Sequence, residues 1–351
     1  MKAFLASRKG LFVYKLAGSS WKLEKHHFDG VRTSYVSYNP AKKQVWLGMA
    51  HGHWGPKVHM SKDKGKTFQE LPTPKVPTDD KAKSITDIWA FAFDKTGRVY
   101  VGTSPAEIFH SDDNGQTWIH NQALHTMEGR EKWFAGASDG HCVHSILVHP
   151  ENPDHIVIGI SVGGVLESTN RGKSWAYRND GMKAYFMPEP NDPIVQDPHL
   201  VARAPSDPQI LWQQNHCGIF KSEDGGKSWN DLSKAKGLKT PFGWGVVIDD
   251  KDANIAYTVP AQSDETRVPY QKKLIVQKTV NGGKSWSVLT NGLPQKNCFD
   301  IVYRHAFSGA GKRLLFGTTT GHVFFSHNEG KKWGQIKDYL PPIYGVKLVD
   351  L

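Results

Sequence analysis

One eight-residue pattern, Ser/Thr-x-Asp/Asn-x-Gly-x-x-aromatic, occurs six times in this chain, at residues 61–68, 111–118, 168–175, 222–229, 279–286 and 326–333. Its glycines (65, 115, 172, 226, 283 and 330) stand 47 to 57 residues apart. Each position has a task in a tight turn. The Asp or Asn side chain is expected to hydrogen-bond its own backbone two residues on, with the Ser or Thr hydroxyl in support. The glycine takes a positive φ that a side chain would penalise. The closing aromatic, Trp in five copies and Phe68 in the first, opens the next strand and is large enough to wedge between neighbouring units. A period near 50 residues is that of a four-stranded blade, so the repeat predicts an all-β propeller rather than a helical solenoid.

Two apolar strands precede each pattern in the same frame, as at residues 144–148 and 156–160. Inner strands are expected to begin near Ser34, Trp89, His144, His199, Trp244 and Phe299. A seventh, at residues 343–349, has no pattern after it. At the other end, residues 3–6, 10–14 and 21–23 read as strands two, three and four of an incomplete blade. The two ends are therefore expected to share one sheet, pairing edges that would otherwise be exposed. Seven blades of about 50 residues account for the 351 residues, which predicts a single domain over residues 1–351.

No stretch approaches the roughly 18 apolar residues that span a bilayer, and residues 1–6 are too short for a signal-peptide core. Cys142, Cys217 and Cys298 make no disulfide framework. Both features predict a cytoplasmic protein without a membrane span. The net charge is +10, and part of the excess is localised: Lys66, Lys173, Lys227, Lys284 and Lys331 each follow a repeat glycine. Solvated turns account for these lysines, and a basic ring for an acidic partner is the other reading. No basic motif with interleaved aromatics points to nucleic acid.

In a blade of this kind, links from strand two to three and from strand four to the next strand one share a face. The links into blades two, three and four are the longest, at 21 residues from Phe68 to Trp89, then 26 and 24. Blade five carries a polar insertion at residues 262–270, with Gln262 and Arg267, and blade one carries His51-Gly-His53-Trp54. All fall on the face opposite the repeat turns, where binding and catalysis are expected. His144 and His199 occupy equivalent inner-strand positions in blades three and four, and His216 ends the second strand of blade four. Converging at one mouth, these three would hold a divalent transition metal (zinc, manganese, iron, copper or nickel) and leave a fourth position open. A metal-free ligand site, or a structural role, would use the same histidines. Asp139, Asp197, Asn215 and Gln262 offer oxygen atoms nearby, and His51, His53 and His141 approach from neighbouring links. Cys142 and Cys217 adjoin two of these histidines, but strand alternation sends them to the other side, where they are expected to be buried.

The repeats resemble the Asp-box, or bacterial neuraminidase repeat, over nearly the whole chain. That resemblance implies that each box joins the two outer strands of a blade and is structural. Asp-box propellers include sialidases, xyloglucan-cleaving glycoside hydrolases, sortilin-type receptors and the photosystem II assembly factors. Sialidases are six-bladed and bind a carboxylate with three arginines. Arg8, Arg32 and Arg267 are expected near the mouth, so an anionic ligand is accommodated. They do not match the sialidase positions, however, and the Phe-Arg-Ile-Pro motif is absent, so the chain is not read as a sialidase proper. The xyloglucan-cleaving relatives place catalytic Asp residues across a cleft between two propellers, whereas this chain has one. The assembly factors resemble it in blade number, single domain and basic character, and they are not enzymes.

The resulting expectation is a hydrolase or lyase for a polar, carbohydrate-like or carboxylate-bearing small substrate, such as a glycan. His144, His199 or His216 would carry acid–base work, with Asp139, Asp197 or Asp300 as partners, and a metal is an optional assistant. The alternative is a non-catalytic scaffold or assembly module. The sequence leaves the oligomeric state open.

Overall fold

A computed structural model describes residues 1–77, 84–134 and 140–351. Among them, twenty-eight strands pair into seven four-stranded antiparallel sheets, and the α-helix is the single turn Gln122–His125. The fold is a seven-bladed β-propeller. Blades one to six span residues 33–71, 87–120, 143–177, 198–231, 243–289 and 307–336. Blade seven joins Ile343–Val349 to Lys2–Ser7, Gly10–Ala17 and Ser20–His27. Leu5 pairs with Val346 and Lys2 with Val349, so the two ends share a sheet as the sequence predicts.

The chain divides into two compact units. One comprises Met1–Gly30, His199–Gly225 and Trp229–Leu351, and the other Val31–Pro198 and Gly226–Ser228. The first buries an aromatic-rich core that includes Tyr14, Tyr257, Phe316 and Trp333. The second buries β-branched strands, among them Ile146, Ile156, Ile158 and Ile160, and a separate cluster around Trp46 and Phe91. No helix among the described residues is long and apolar enough to cross a membrane.

Every repeat lies between the third and fourth strands of its blade, but its wiring differs from the expected one. Asp63 Oδ1 accepts from the backbone N–H groups of Lys66 (3.0 Å) and Thr67 (2.9 Å), three and four residues on rather than two. The Ser61 hydroxyl takes the Gly65 N–H at 2.9 Å and donates to Asp63 at 2.8 Å. The same hydroxyl-to-glycine bond recurs at Gly115, Gly172, Gly283 and Gly330. All six repeat glycines have positive φ, from 80° to 101°. The preceding residue is left-handed too, even when it is Lys64, Asn114, Arg171 or Glu329. Two consecutive left-handed residues point successive N–H groups inward at one acceptor cluster, which offsets their strain.

The closing aromatics do wedge between blades. Trp118 Nε1 donates to Pro72 O of blade one at 2.7 Å, and the Trp286 ring meets Trp212 of blade four edge-on. One inner strand is misplaced by the sequence reading. Blade six begins at Phe307, not near Phe299, which is 55% exposed in the preceding link. The apolar run 299–303 looks like a strand, but it forms none, and the intervening Asp300 is engaged by Thr318 and His322 instead.

Four of the other inner-strand markers share a feature that sequence does not show. Ser34, Trp89 and His144 each sit at a register shift between the first two strands of their blade, and Trp244 lies within another. Such bulges re-aim a side chain away from strict alternation and cluster beside functional sites.

Candidate active site

Blade six holds a buried carboxylate paired with an exposed imidazole. Its link between Arg313–Gly317 and Val323–Ser326 runs Thr318-Thr-Thr-Gly-His322. Gly321 has φ of 90°, and a Cβ there would collide with the Leu340 carbonyl, so this loop requires glycine. The turn places His322 Nδ1 3.0 and 3.2 Å from the two oxygens of Asp300. Asp300 is buried, whereas the His322 side chain is 52% exposed. Thr318 Oγ1 donates to Asp300 at 3.0 Å, and the Thr320 hydroxyl donates to the same oxygen. The Cys298 thiol donates from 3.4 Å. Burial, opposed by a backbone hydrogen bond and aided by the Asp300 charge, pushes that thiol up to about 11, so it stays protonated as a donor.

The consequence for His322 is a fixed tautomer. A carboxylate on Nδ1 accepts its proton and leaves the lone pair on Nε2. His322 lines a cavity of about 780 Å³ together with Lys9, Phe12, Lys337, Asp338 and Tyr339. Tyr14 donates to Asp338 Oδ2 at 2.6 Å. Burial, then the Asp338 hydrogen bond and charge, raise the Tyr14 hydroxyl far above its usual range, so it remains a donor. Tyr339 is fully exposed on the rim and offers an aromatic face. An oriented imidazole beside a polar cavity with two lysines and a second carboxylate can move a proton on a bound polar ligand.

A second group in the same unit is built by blades four and five. His199 Nδ1 lies 2.6 Å from the Gly243 carbonyl oxygen, so that nitrogen carries the proton. His216 Nε2 lies 3.1 Å from Asp264 Oδ2. The two rings meet edge-on at 5.4 Å, with Phe242 edge-on to both and Trp244 stacked on His199. Phe242 and Trp244 also pack with Ile301, the neighbour of Asp300, so the two groups are linked through one segment. An imidazole tied at one nitrogen to a carbonyl or carboxylate is the arrangement that orients a metal ligand, and His199 and His216 are both held in it.

The remaining sequence candidates are placed as follows. Asp139 lies outside the described residues. His144 is buried in the other unit, with Nδ1 2.9 Å from Ser145 Oγ. Asp197 accepts from Val162 N–H at 3.1 Å. His141 Nδ1 accepts the Ala106 N–H at 3.0 Å, and burial with the Arg130 charge pushes its pKa down to about 4. Arg32 pairs with buried Asp87 at 2.7 Å. His51 Nδ1 takes the N–H groups of His53 and Trp54, so this imidazole shapes its own hairpin. Asn215 joins Gln213 and the Cys217 N–H, and Gln262 takes the Gln271 N–H across the blade-five insertion. Arg267 Nε donates to the Asp264 carbonyl, and Arg8 is exposed in the turn beside Lys9. Cys142 is buried as expected, but Cys217 is only half-buried, because it follows the strand end and alternation no longer governs it.

Link length does not reveal His322, whose link is short. The readable signal was a His in the same strand-two-to-three link that holds His216 in blade four.

No family model matches the chain. A curated relative, the oligoxyloglucan-reducing end-specific xyloglucanase of Emericella nidulans, is 21% identical over 290 residues, 81% of this chain. The chain spans about a third of that protein's length (31%). Among solved structures, an ancestral GH74 enzyme aligns with a TM-score of 0.62 at 17% identity, covering 87% of this chain and 38% of that one. YCF48 from Cyanidioschyzon merolae aligns at 0.57 with 12% identity, covering 88% and 85%. At these identities the likeness establishes the propeller fold.

Proposed function

We propose that this protein is a hydrolase or lyase acting on a polar, carbohydrate-like substrate in the cavity over Asp300 and His322. The observation that carries the reading is the buried Asp300 carboxylate held on Nδ1 of a half-exposed His322 at a cavity of about 780 Å³. His322 Nε2 takes a proton from a water or from a substrate carbon acid, and Asp300 stabilises the imidazolium that forms. Lys9 and Lys337 suit a substrate carboxylate, and Tyr339 suits the apolar face of a sugar ring. The distant xyloglucanase relative supports a carbohydrate substrate, as does the resemblance of the repeats to the Asp-box.

A divalent transition metal on His199 and His216 is a further part of this proposal. Asp264 and the Gly243 carbonyl would orient the two imidazoles, and the metal would supply Lewis-acid chemistry at that pair. Elemental analysis of untagged protein and of the His199→Ala/His216→Ala variant tests it: metal lost with both histidines supports the site, and metal-free protein after reconstitution removes it.

One observation favours a non-catalytic reading. The YCF48 structure is matched over 85% of its own length, against 31% for the xyloglucanase. A related YCF48 structure, aligned at a TM-score of 0.55, holds a D1 peptide. The two readings are separated by incubating the protein with neutral xyloglucan oligosaccharides and with uronate-containing oligosaccharides. New reducing ends or unsaturated products that vanish with His322→Ala support the enzyme. Absence of turnover, together with peptide binding unaffected by His322→Ala, supports the scaffold.

A further inference from the structure

The residues around the His322 cavity narrow the reaction it can perform. Among the described residues, the carboxylate that lines it is Asp338, and one of its oxygens is taken by the Tyr14 hydroxyl at 2.6 Å. Asp300, which holds His322, is enclosed by donors from Thr318, Thr320 and Cys298 as well as by the imidazole. Glycoside hydrolysis ordinarily uses two carboxyl groups facing each other across the bond, one to protonate the leaving oxygen and one to attack or to activate water. That pair is not assembled among the described residues: one aspartate is tied to a tyrosine, and the other is buried and enclosed. What the cavity does assemble is one base and two cations.

The cations differ from the other lysines of the same unit. Lys221 and Lys278 each have an acid within 3.2 Å of the ammonium. Lys9 and Lys337 have no such partner among the described residues, and both line this cavity. An ammonium without an internal acid gains more from a ligand anion, because no existing ion pair has to be broken.

The Lys9 side of the cavity is a built corner. The Lys9 N–H donates to Ser7 Oγ at 3.1 Å, and its carbonyl faces the Gly30 N–H at 3.3 Å and His26 Nε2 at 2.8 Å. The His26 ring lies flat on Phe12, centroids 4.1 Å apart, and Phe12 lines the same cavity. Gly10 makes the corner possible: its φ is 118°, and a Cβ there would run into the His27 carbonyl. With both backbone groups of Lys9 committed, its side chain is the part left to reach a ligand.

On the reading of this cavity as the active site, we infer that its substrate is a uronate glycosylated at the oxygen β to its carboxylate, and that its reaction is a β-elimination. Lys9 and Lys337 hold the substrate carboxylate and stabilise the charge that builds on it as the adjacent carbon loses its proton. His322 Nε2 takes that proton. The electron pair left behind forms a carbon–carbon double bond to the β carbon, whose bond to the glycosidic oxygen breaks. The departing oxygen takes a proton from the imidazolium, which restores the base, and the other fragment leaves with a new reducing end. No water is consumed, and nothing is oxidised or reduced. A neutral sugar has no such acidic hydrogen, so the two lysines, rather than the imidazole, select the substrate.

The test incubates the full chain with oligogalacturonate, oligomannuronate and neutral xyloglucan oligosaccharides, and follows the ultraviolet absorbance of the conjugated double bond and the masses of the fragments. Uronate fragments whose masses add up to that of the substrate, with the absorbance rising in step and both lost in His322→Ala, are expected. The Lys9→Ala/Lys337→Ala variant is expected to lower kcat/KM on the uronate by about a hundredfold, the worth of two charge-assisted contacts. Both lysines are exposed on turns, so the variant folds, and a thermal melt verifies this. Fragments heavier by one water in total mean hydrolysis and overturn the elimination. Unchanged uronate turnover in the double lysine variant overturns the carboxylate role. Cleavage of the neutral oligosaccharides alone, dependent on His322, overturns this inference and leaves the cavity as the active site. No turnover of any of the three overturns both.

Discussion

His141 and His322 are both link histidines, yet they are chemically opposite. His141 Nδ1 accepts a backbone N–H from Ala106, and its ring lies edge-on to Trp133 at 5.6 Å. A backbone donor dictates that this nitrogen carries the lone pair, and burial holds the ring neutral. His322 Nδ1 faces a carboxylate instead, so the proton sits there and the lone pair is left on Nε2 of a ring that lines the cavity. The first imidazole is part of the scaffold, and the second is the reagent of the proposed reaction. What separates them is the partner of a single nitrogen, which residue type and position in the blade do not reveal.

The comparison breaks most sharply at His322. Replacing it with Ala is expected to lower turnover of the cleaved oligosaccharide by about 10²–10⁴-fold, with KM nearly unchanged. If steady-state kinetics show kcat preserved, His322 is no more a reagent than His141.

Asp300→Asn is expected to cost about 10²-fold or more in kcat, because an amide donating to Nδ1 drives the proton onto Nε2. A folded variant, verified by circular dichroism, with unchanged kcat would show that Asp300 only braces the loop.

The scaffold side is tested by pH. The folded pKa of His141 lies near 4, below its ordinary 6.5, so between those values the unfolded chain binds more protons. Stability contributed by the neutral ring is therefore intact above about pH 6.5 and falls as pH falls toward 4. His141→Gln keeps an acceptor for Ala106 without titrating, and urea melts at pH 7 and 4.5 should show a smaller acid loss for it. Its activity at pH 7 should match the unsubstituted protein.

The smallest effect is expected at Tyr339. Its ring touches little, so Tyr339→Ala should leave the melting temperature unchanged and weaken oligosaccharide binding about threefold to tenfold, the worth of one stacking contact. Titration calorimetry measures it.

The sequence made the architecture legible because a hairpin turn is a local object. The Ser/Thr, Asp/Asn, Gly and aromatic of each repeat act within eight residues, and their period counts the blades. Even there the left-handed residue before each glycine escaped notice, since Lys64, Arg171 and Glu329 carry no glycine signature. The site was legible only in part. His199 and His216 do meet, as the place of His216 at the end of the second strand of blade four implies. Asp300 was chosen, but its partner His322 is 22 residues away and joined through a turn that depends on Gly321. Arg32, His51 and Gln262 were chosen for where they lie along the chain, and the structure commits them to an ion pair and two loop braces. Position predicts who is near a surface, whereas function depends on which hydrogen bonds remain unspent.

The sheet shared by Lys2–Ser7 and Ile343–Val349 has a consequence for synthesis. Of the seven sheets, the strands Lys2–Ser7, Gly10–Ala17 and Ser20–His27 are translated first, and Lys2–Ser7 is buried along its length once paired. Their partner is translated roughly three hundred residues later, an interval on the order of 15–60 s at bacterial or eukaryotic elongation rates. For that period the nascent hairpin is an open template for any strand in its vicinity, including those of other copies on the same message. Blade seven is thus begun first and completed last of the seven sheets, and its own pairing protects that edge only once Ile343–Val349 is made.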